Sequence, residues 1–312
     1  MAQHYGPDRP DLTYVAHDFP ERTVDLGEVV MNYAVTGADN APALLLVPGQ
    51  IESWWGYEAA MKLLEADFRV YAIDLRGQDR SSRTPGRYTL NNMGNDLVRF
   101  IQLVIGGPCI VAGLSSGGVL SCWLSAYAPP GLIRAAYFED APLFASEVAP
   151  ACGFSIRQGY GDMFLLMSRF LGDHWSVGDW AGMVAGAPAA LPAWMAPFFP
   201  CGDEPPQTLK KYDPEWARTF WSGTASINCS HRHMLERVRV PVLFTHHFRN
   251  VDETGVLQGA IADIQVAYAR KLIEAAGQRF EYRSLPQMGH SLHGQDPALY
   301  ADIVREWSRT LD

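Results

Sequence analysis

Cys109-Ile110-Val111-Ala112-Gly113-Leu114-Ser115-Ser116-Gly117-Gly118 is the stretch on which the fold turns. Its first four residues form a continuous apolar run, the pattern of a strand buried on both faces. Residues 117–127 carry the apolar spacing of a helix. Between the two lies a G-x-S-x-G turn, in which a strand bends sharply into a helix and lifts a serine hydroxyl clear of the sheet. Such a turn is strained and accepts only small neighbours, here Gly113, Gly117 and Gly118. The helix start beside Ser115 favours developing negative charge.

Outward from this turn, short apolar runs predict strands at residues 43–47, 69–73, 108–112, 133–138, 240–245 and 279–284. Helical spacing predicts helices over 55–66, 90–104, 117–127, 261–276 and 297–311. Residues 22–26 and 28–34 bracket Gly27 as a hairpin. Alternating strands and helices imply an α/β protein with a mostly parallel central sheet flanked by helices. The alternation breaks over 143–235, a stretch rich in Trp, Phe, Met, Ala and Pro that reads as an inserted helical cap. The predicted organisation is a core domain of 1–142 and 236–312 with a cap domain of 143–235.

The 312 residues suffice for one large α/β domain with an insertion. With 48% hydrophobic and 19% charged residues, the composition is that of a globular protein. The formal net charge of −9 and scattered basic residues disfavour a nucleic-acid partner, which needs a positive footprint. Cys109, Cys122, Cys152, Cys201 and Cys229 are odd in number and form no C-x-x-C, so a disulfide framework is not expected. Cys109 and Cys122 read as buried thiols, and a reduced, cytoplasmic setting fits. Residues 1–20 form a polar arm without signal-peptide character, and no apolar run reaches the ~20 residues of a membrane span.

The order of segments resembles the α/β-hydrolase superfamily. Leu46-Val47-Pro48-Gly49-Gln50-Ile51-Glu52-Ser53-Trp54-Trp55 resembles that family's H-G-x-P-x-S-W loop, with Pro48 where His is usual. Asp74-Leu75-Arg76-Gly77-Gln78-Asp79-Arg80-Ser81 resembles its D-x-R-G-x-G-x-S turn, with Asp79 where Gly is usual. Gly289-His290-Ser291 resembles the turn that carries the catalytic histidine.

A serine hydroxyl is a poor nucleophile near neutral pH, so Ser115 needs a base. Chain order in this fold is nucleophile, acid, histidine. His290, between the last predicted strand and the closing helix, is the expected base, with His293 as its rival. The acid is Asp140 by preference, because Phe138-Glu139-Asp140-Ala141-Pro142 places carboxylates at the carboxyl end of a strand. Glu139 and Asp252 remain alternatives. Two backbone N–H groups should meet the oxyanion: Ser116, the residue after the nucleophile, and, by the loop's resemblance to the family, Gln50.

The cap holds Trp175, Trp180, Trp194, Trp216 and Trp221. Most are expected to be packing residues, yet aromatics over a serine elbow make an apolar pocket for a bulky, uncharged ester or lactone. A narrower resemblance points the same way. The elbow, the acid two residues before Pro142, and Tyr212-Asp213-Pro214-Glu215-Trp216-Ala217-Arg218 are similar to lactone hydrolases that open the macrocyclic mycotoxin zearalenone. That resemblance implies Asp140 as acid and Trp216 as a substrate contact, needs no cofactor, and allows a homodimer. The rivals are a carboxylesterase, a carbon–carbon bond hydrolase, and a non-catalytic ligand-binding homologue. Epoxide-hydrolase and dehalogenase chemistry is disfavoured, because it needs a carboxylate where Ser115 stands. A metal enzyme would draw on His231 and His233 or on His290 and His293, and neither pair has a third ligand at a recognisable spacing.

Overall fold

The computed structural model describes residues 9, 11, 13–171, 178–199, 202–253 and 257–311. Trp175 and Cys201, like residues 1–8 of the predicted arm, lie outside them.

The chain opens with β1 (Glu21–Asp25) and β2 (Val30–Thr36), the hairpin about Gly27, followed by β3 (Ala43–Val47), α1 (Glu58–Leu64), β4 (Arg69–Ile73) and α2 (Leu90–Phe100). Then come β5 (Cys109–Leu114), α3 (Ser116–Tyr127) and β6 (Ile133–Glu139). The strands form an eight-stranded sheet continued by β7 (Val242–His246) and β10 (Phe280–Ser284), in the order β1-β2-β4-β3-β5-β6-β7-β10. All pairs from β4 through β10 are parallel, and β2 is antiparallel to both of its neighbours.

Alternate residues of the strands enter two hydrophobic clusters, one on each face of the sheet. Leu45, Val47, Val111 and Phe138 belong to one; Leu44, Leu46, Ile110 and Tyr137 belong to the other. Because side chains alternate across a strand, two buried faces require the unbroken apolar runs seen in the sequence. α2 packs on α3 closely enough that a Cβ on Gly94 would lie 2.2 Å from the Trp123 ring.

Between β6 and β7 the chain leaves the sheet for α4 (Gly161–Phe170), α5 (Trp180–Ala190), α6 (Gln207–Lys210), α7 (Glu215–Ser222) and α8 (His231–Leu235). α4 packs on α5 and α7, whereas α8 packs on α3 and on α9 (Asp263–Ala275), against the sheet. After β7 the chain forms a second small sheet, β8 (Arg249–Val251) paired with β9 (Leu257–Gly259). Two helices close the chain, α10 (Leu292–Gln295) and α11 (Pro297–Ser308). Among the described residues, no helix is long and apolar enough to cross a membrane.

Candidate active site

Ser115 sits between β5 and α3 with φ 55° and ψ −120°, a backbone region that L residues rarely enter. The bend leaves no room beside it. A Cβ on Gly113 would lie 2.3 Å from the Gly117 carbonyl, and one on Gly117 would lie 2.2 Å from the carbonyl of Val47. The Ser115 N–H donates to the Glu139 carbonyl at 2.9 Å, which ties the elbow to the end of β6.

At that strand end the two neighbouring carboxylates part. Asp140, fully buried and with φ 42°, places Oδ2 at 2.7 Å from Nδ1 of His290 and accepts from the His247 N–H at 3.2 Å. Glu139 faces the other histidine of the loop: its carboxylate lies 2.9 Å from Nδ1 of His293. His293 is fully buried, with Glu52 against Nε2 at 2.8 Å, so it is not the histidine that reaches the cavity. Asp252 follows β8 in the small hairpin, and Arg249 pairs with Asp263 at 2.8 Å. The structure therefore brings Asp140, and neither alternative, to His290.

Ser115, His290, Gln50 and Ser116 all line one cavity at the carboxyl ends of the strands. Ser116 opens α3, where backbone N–H groups have no partner within the helix, and Gln50 lies in the loop after β3. Among the described residues neither the Gln50 nor the Ser116 N–H has an acceptor in the chain. The Gln50 side chain donates to the Tyr212 hydroxyl, which holds the loop against the segment between β6 and β7. Ile51 beside it has φ 62°.

The insertion roofs this cavity with Ile156, Tyr160, Met163, Phe164 and Phe220. A second cavity adjoins it, sharing His290, Tyr160 and Met163 and adding Trp194, Phe199 and Phe248. The volumes are about 110 Å³ for the first and 150 Å³ for the second. Tyr160, Trp194 and Phe248 form an aromatic group around His290, with ring centroids 5.6–6.3 Å apart. The Tyr160 hydroxyl is buried and has no hydrogen-bond partner among the described residues. Burial, and then the charge of Asp140, raise its pKa well above the ordinary phenol value.

Trp216 requires a correction. It is fully buried, its indole N–H donates to the Arg76 carbonyl at 2.8 Å, and it lines neither cavity; Phe220, one turn on, does. Of the other tryptophans between β6 and β7, Trp194 lines the second cavity, Trp180 donates to the Gly202 carbonyl at 2.9 Å, and the Arg157 guanidinium lies over Trp221. Sequence reasoning missed Tyr160, Phe220 and Phe248. Phe248 could have been suspected only from the three-residue hairpin strands beside it, which carry no apolar alternation.

The turn with Asp79 explains the departure noted there. Asp79 takes φ 39° and is buried in an ion pair with Lys211 of the insertion at 2.8 Å, while Trp55 donates to its other oxygen at 2.7 Å. The Asp213 N–H donates to the Gly77 carbonyl at 2.8 Å, so three successive points (Lys211, Asp213 and Trp216) fasten the insertion to this turn.

Residues 44–303 match the family model described as the alpha/beta hydrolase family. A bifunctional epoxide hydrolase 2 of Sus scrofa is 33% identical over 112 residues, 35% of this chain and 20% of that protein. A 3-oxoadipate enol-lactonase 2 of Acinetobacter baylyi (strain ATCC 33305 / BD413 / ADP1) is 22% identical over 228 residues, 71% of this chain and 76% of the relative. The matches to the first curated relatives span only 20–38% of their lengths. Among solved structures, the enol-lactonase from Burkholderia xenovorans LB400 superposes with a TM-score of 0.60 at 17% identity, covering 92% of this chain and 100% of that one. At that identity the likeness bears on the fold.

Proposed function

This chain belongs to the alpha/beta hydrolase family, and from that premise we propose that it is a serine hydrolase that opens an ester bond of a bulky, apolar aromatic lactone through an acyl-enzyme. The observation that carries the reading is the buried Asp140 at 2.7 Å from His290, at the rim of the cavity that Ser115 enters from a strained elbow.

Asp140 holds the His290 ring with a proton on Nδ1, leaving Nε2 as the base. His290 takes the proton of Ser115, and Oγ attacks the ester carbonyl. The N–H groups of Gln50 and Ser116 donate hydrogen bonds to the carbonyl oxygen as it gains negative charge; one such donor is worth about 3–4 kcal/mol in the transition state. His290 then protonates the leaving oxygen, and the ring opens while its acyl end stays on Ser115. Water deprotonated by His290 then attacks the acyl carbon, the bond to Ser115 Oγ breaks, and His290 returns the proton to Ser115 as the hydroxy acid leaves.

The two adjoining cavities support the substrate class. Each is small, and His290 stands between them, so a bulky ring with ester oxygen at His290 occupies both. Their walls are apolar and aromatic, with the Tyr160 hydroxyl as an unused polar group. Within that class, a macrolactone of the zearalenone type is the specific substrate we propose. It is supported by the elbow and the Asp140–Pro142 spacing noted in the sequence. The insertion over residues 143–235 serves as the cap that forms this roof. Simple aryl esters, cleaved by the same machinery, are the second reading.

Mass spectrometry of products from zearalenone and from an aryl ester, with Ser115→Ala beside the native protein, tests both levels. Ring-opened product with the native protein and none with Ser115→Ala is the expected result. Ester cleavage with intact lactone would leave an esterase and remove the lactone. Equal turnover by both proteins would remove Ser115 as nucleophile.

A further inference from the structure

We propose that His293 is a positioning residue for this reaction: a buried cation clamped between Glu139 and Glu52 that fixes the Gln50 loop against the Ser115 elbow. The proposal rests on the Ser115 reading above.

His293 is fully buried, and both of its ring nitrogens meet carboxylates. Nδ1 lies 2.9 and 3.1 Å from the two oxygens of Glu139, and Nε2 lies 2.8 Å from Oε1 of Glu52. A neutral imidazole has one N–H and one lone pair, so one of these contacts would set a lone pair against a carboxylate. Each contact therefore needs a proton, and placing both on the ring leaves the two carboxylates as acceptors. The other groups facing the ring are Tyr57, stacked at 3.7 Å, Tyr300 at 5.6 Å and the Ser291 hydroxyl at 3.4 Å. Burial keeps both phenols neutral by raising their pKa values. Burial alone would lower the pKa of His293; Glu139 and Glu52 outweigh it and push it up to about 10. Burial likewise tends to raise Glu139, but His293, with a smaller effect from His247, brings it below the usual carboxylate value.

This cation joins three pieces of the site. Through Glu52, whose second oxygen accepts from the Gly49 N–H at 2.7 Å, it holds the residue that precedes Gln50. Through Glu139, whose carbonyl accepts from Ser115 and whose neighbour is Asp140, it holds the elbow and the acid. Its own backbone N–H donates to Glu139 at 3.1 Å, which anchors the loop carrying His290 three residues earlier. Tyr57, beneath the ring, adds a link between strands: its hydroxyl donates to the Val47 carbonyl at 3.1 Å and accepts from the Leu114 N–H at 3.2 Å. Without the cation, the buried Glu139 and the half-buried Glu52 lose the charge between them, and Glu52 swings away and leaves Gly49 without its acceptor.

The test measures kcat, KM and their pH profiles on a p-nitrophenyl ester for the native protein, His293→Gln, Glu52→Gln and the double variant. Fluorophosphonate labelling of Ser115 and a thermal melt accompany each. In His293→Gln, kcat is expected to fall about 10–100-fold, approaching the loss of an oxyanion donor, with KM little changed. Activity is partly recovered toward acid, where protonation of one of the two carboxylates relieves the repulsion left by the missing cation. The double variant, one negative charge fewer, regains part of the lost kcat. A folded His293→Gln with native kcat, or a loss that neither pH nor the second substitution relieves, overturns the proposal. If His293→Gln does not fold, Glu52→Gln carries the test, and a native kcat and pH profile there overturns it. Absence of labelling in the native protein strikes down the Ser115 reading and this proposal with it, whereas normal labelling with an unaffected His293→Gln strikes down this proposal alone.

Discussion

Among the glycines of the elbow, the tightest constraint falls on Gly117. The atoms its Cβ would meet are the backbone carbonyl oxygens of Val47 at 2.2 Å and Pro48 at 2.6 Å, which cannot turn aside as a side chain can. Gly117→Ala is expected to destabilise the fold by about 3 kcal/mol and to abolish labelling of Ser115, read by urea unfolding and by fluorophosphonate uptake. This constraint was legible in the G-x-S-x-G spacing. The choice between Glu139 and Asp140 was not, because adjacent residues at a strand end point to different sides, and the side from which His290 arrives is a tertiary fact. Trp216 shows the same limit: its type suits a pocket wall, but an indole N–H seeks an acceptor, and the Arg76 carbonyl supplies one away from the cavity. Ile51, Ser115, Asp140 and Phe248 all hold positive φ around the site, each costing on the order of 1–3 kcal/mol that the surrounding fold offsets.

Among elements, the sheet strands were legible because burial on both faces forces continuous apolar runs. β8 and β9 were not, since Arg249-Asn250-Val251 and Leu257-Gln258-Gly259 are short, mixed in polarity and set by pairing with each other alone. The insertion is governed by its attachment to the turn at residues 76–79. Lys211 and Asp79 are both nearly inaccessible, so Lys211→Met leaves a buried carboxylate with, among the described residues, only Trp55 as donor. Removing one member of a buried pair costs about 3–5 kcal/mol. A loss of that size in thermal unfolding is expected, with a raised KM as α6 and the Tyr212 contact to Gln50 loosen.

At the scale of the whole molecule, two buried histidines set opposite limits on stability with pH. His231 accepts the Phe144 N–H on Nδ1, at 2.9 Å, and burial lowers its pKa from 6.5 to about 3. The unfolded chain thus takes up this proton first, and the contribution present above pH 6.5 is lost as pH falls toward 3. His293 works the other way: raised from 6.5 to about 10, its contribution is complete below 6.5 and is lost as pH rises toward 10. Melting temperatures across pH should therefore peak near neutrality. His231→Asn is expected to flatten the acid limb alone and His293→Gln the alkaline limb alone; a native acid limb in His231→Asn would refute the assignment. The bond between Asp79 and Lys211 also bears on how such proteins can be recombined. A roof transplanted from a relative with glycine at that turn would arrive without a cation for Asp79, so any working chimera has to exchange both partners as one cassette.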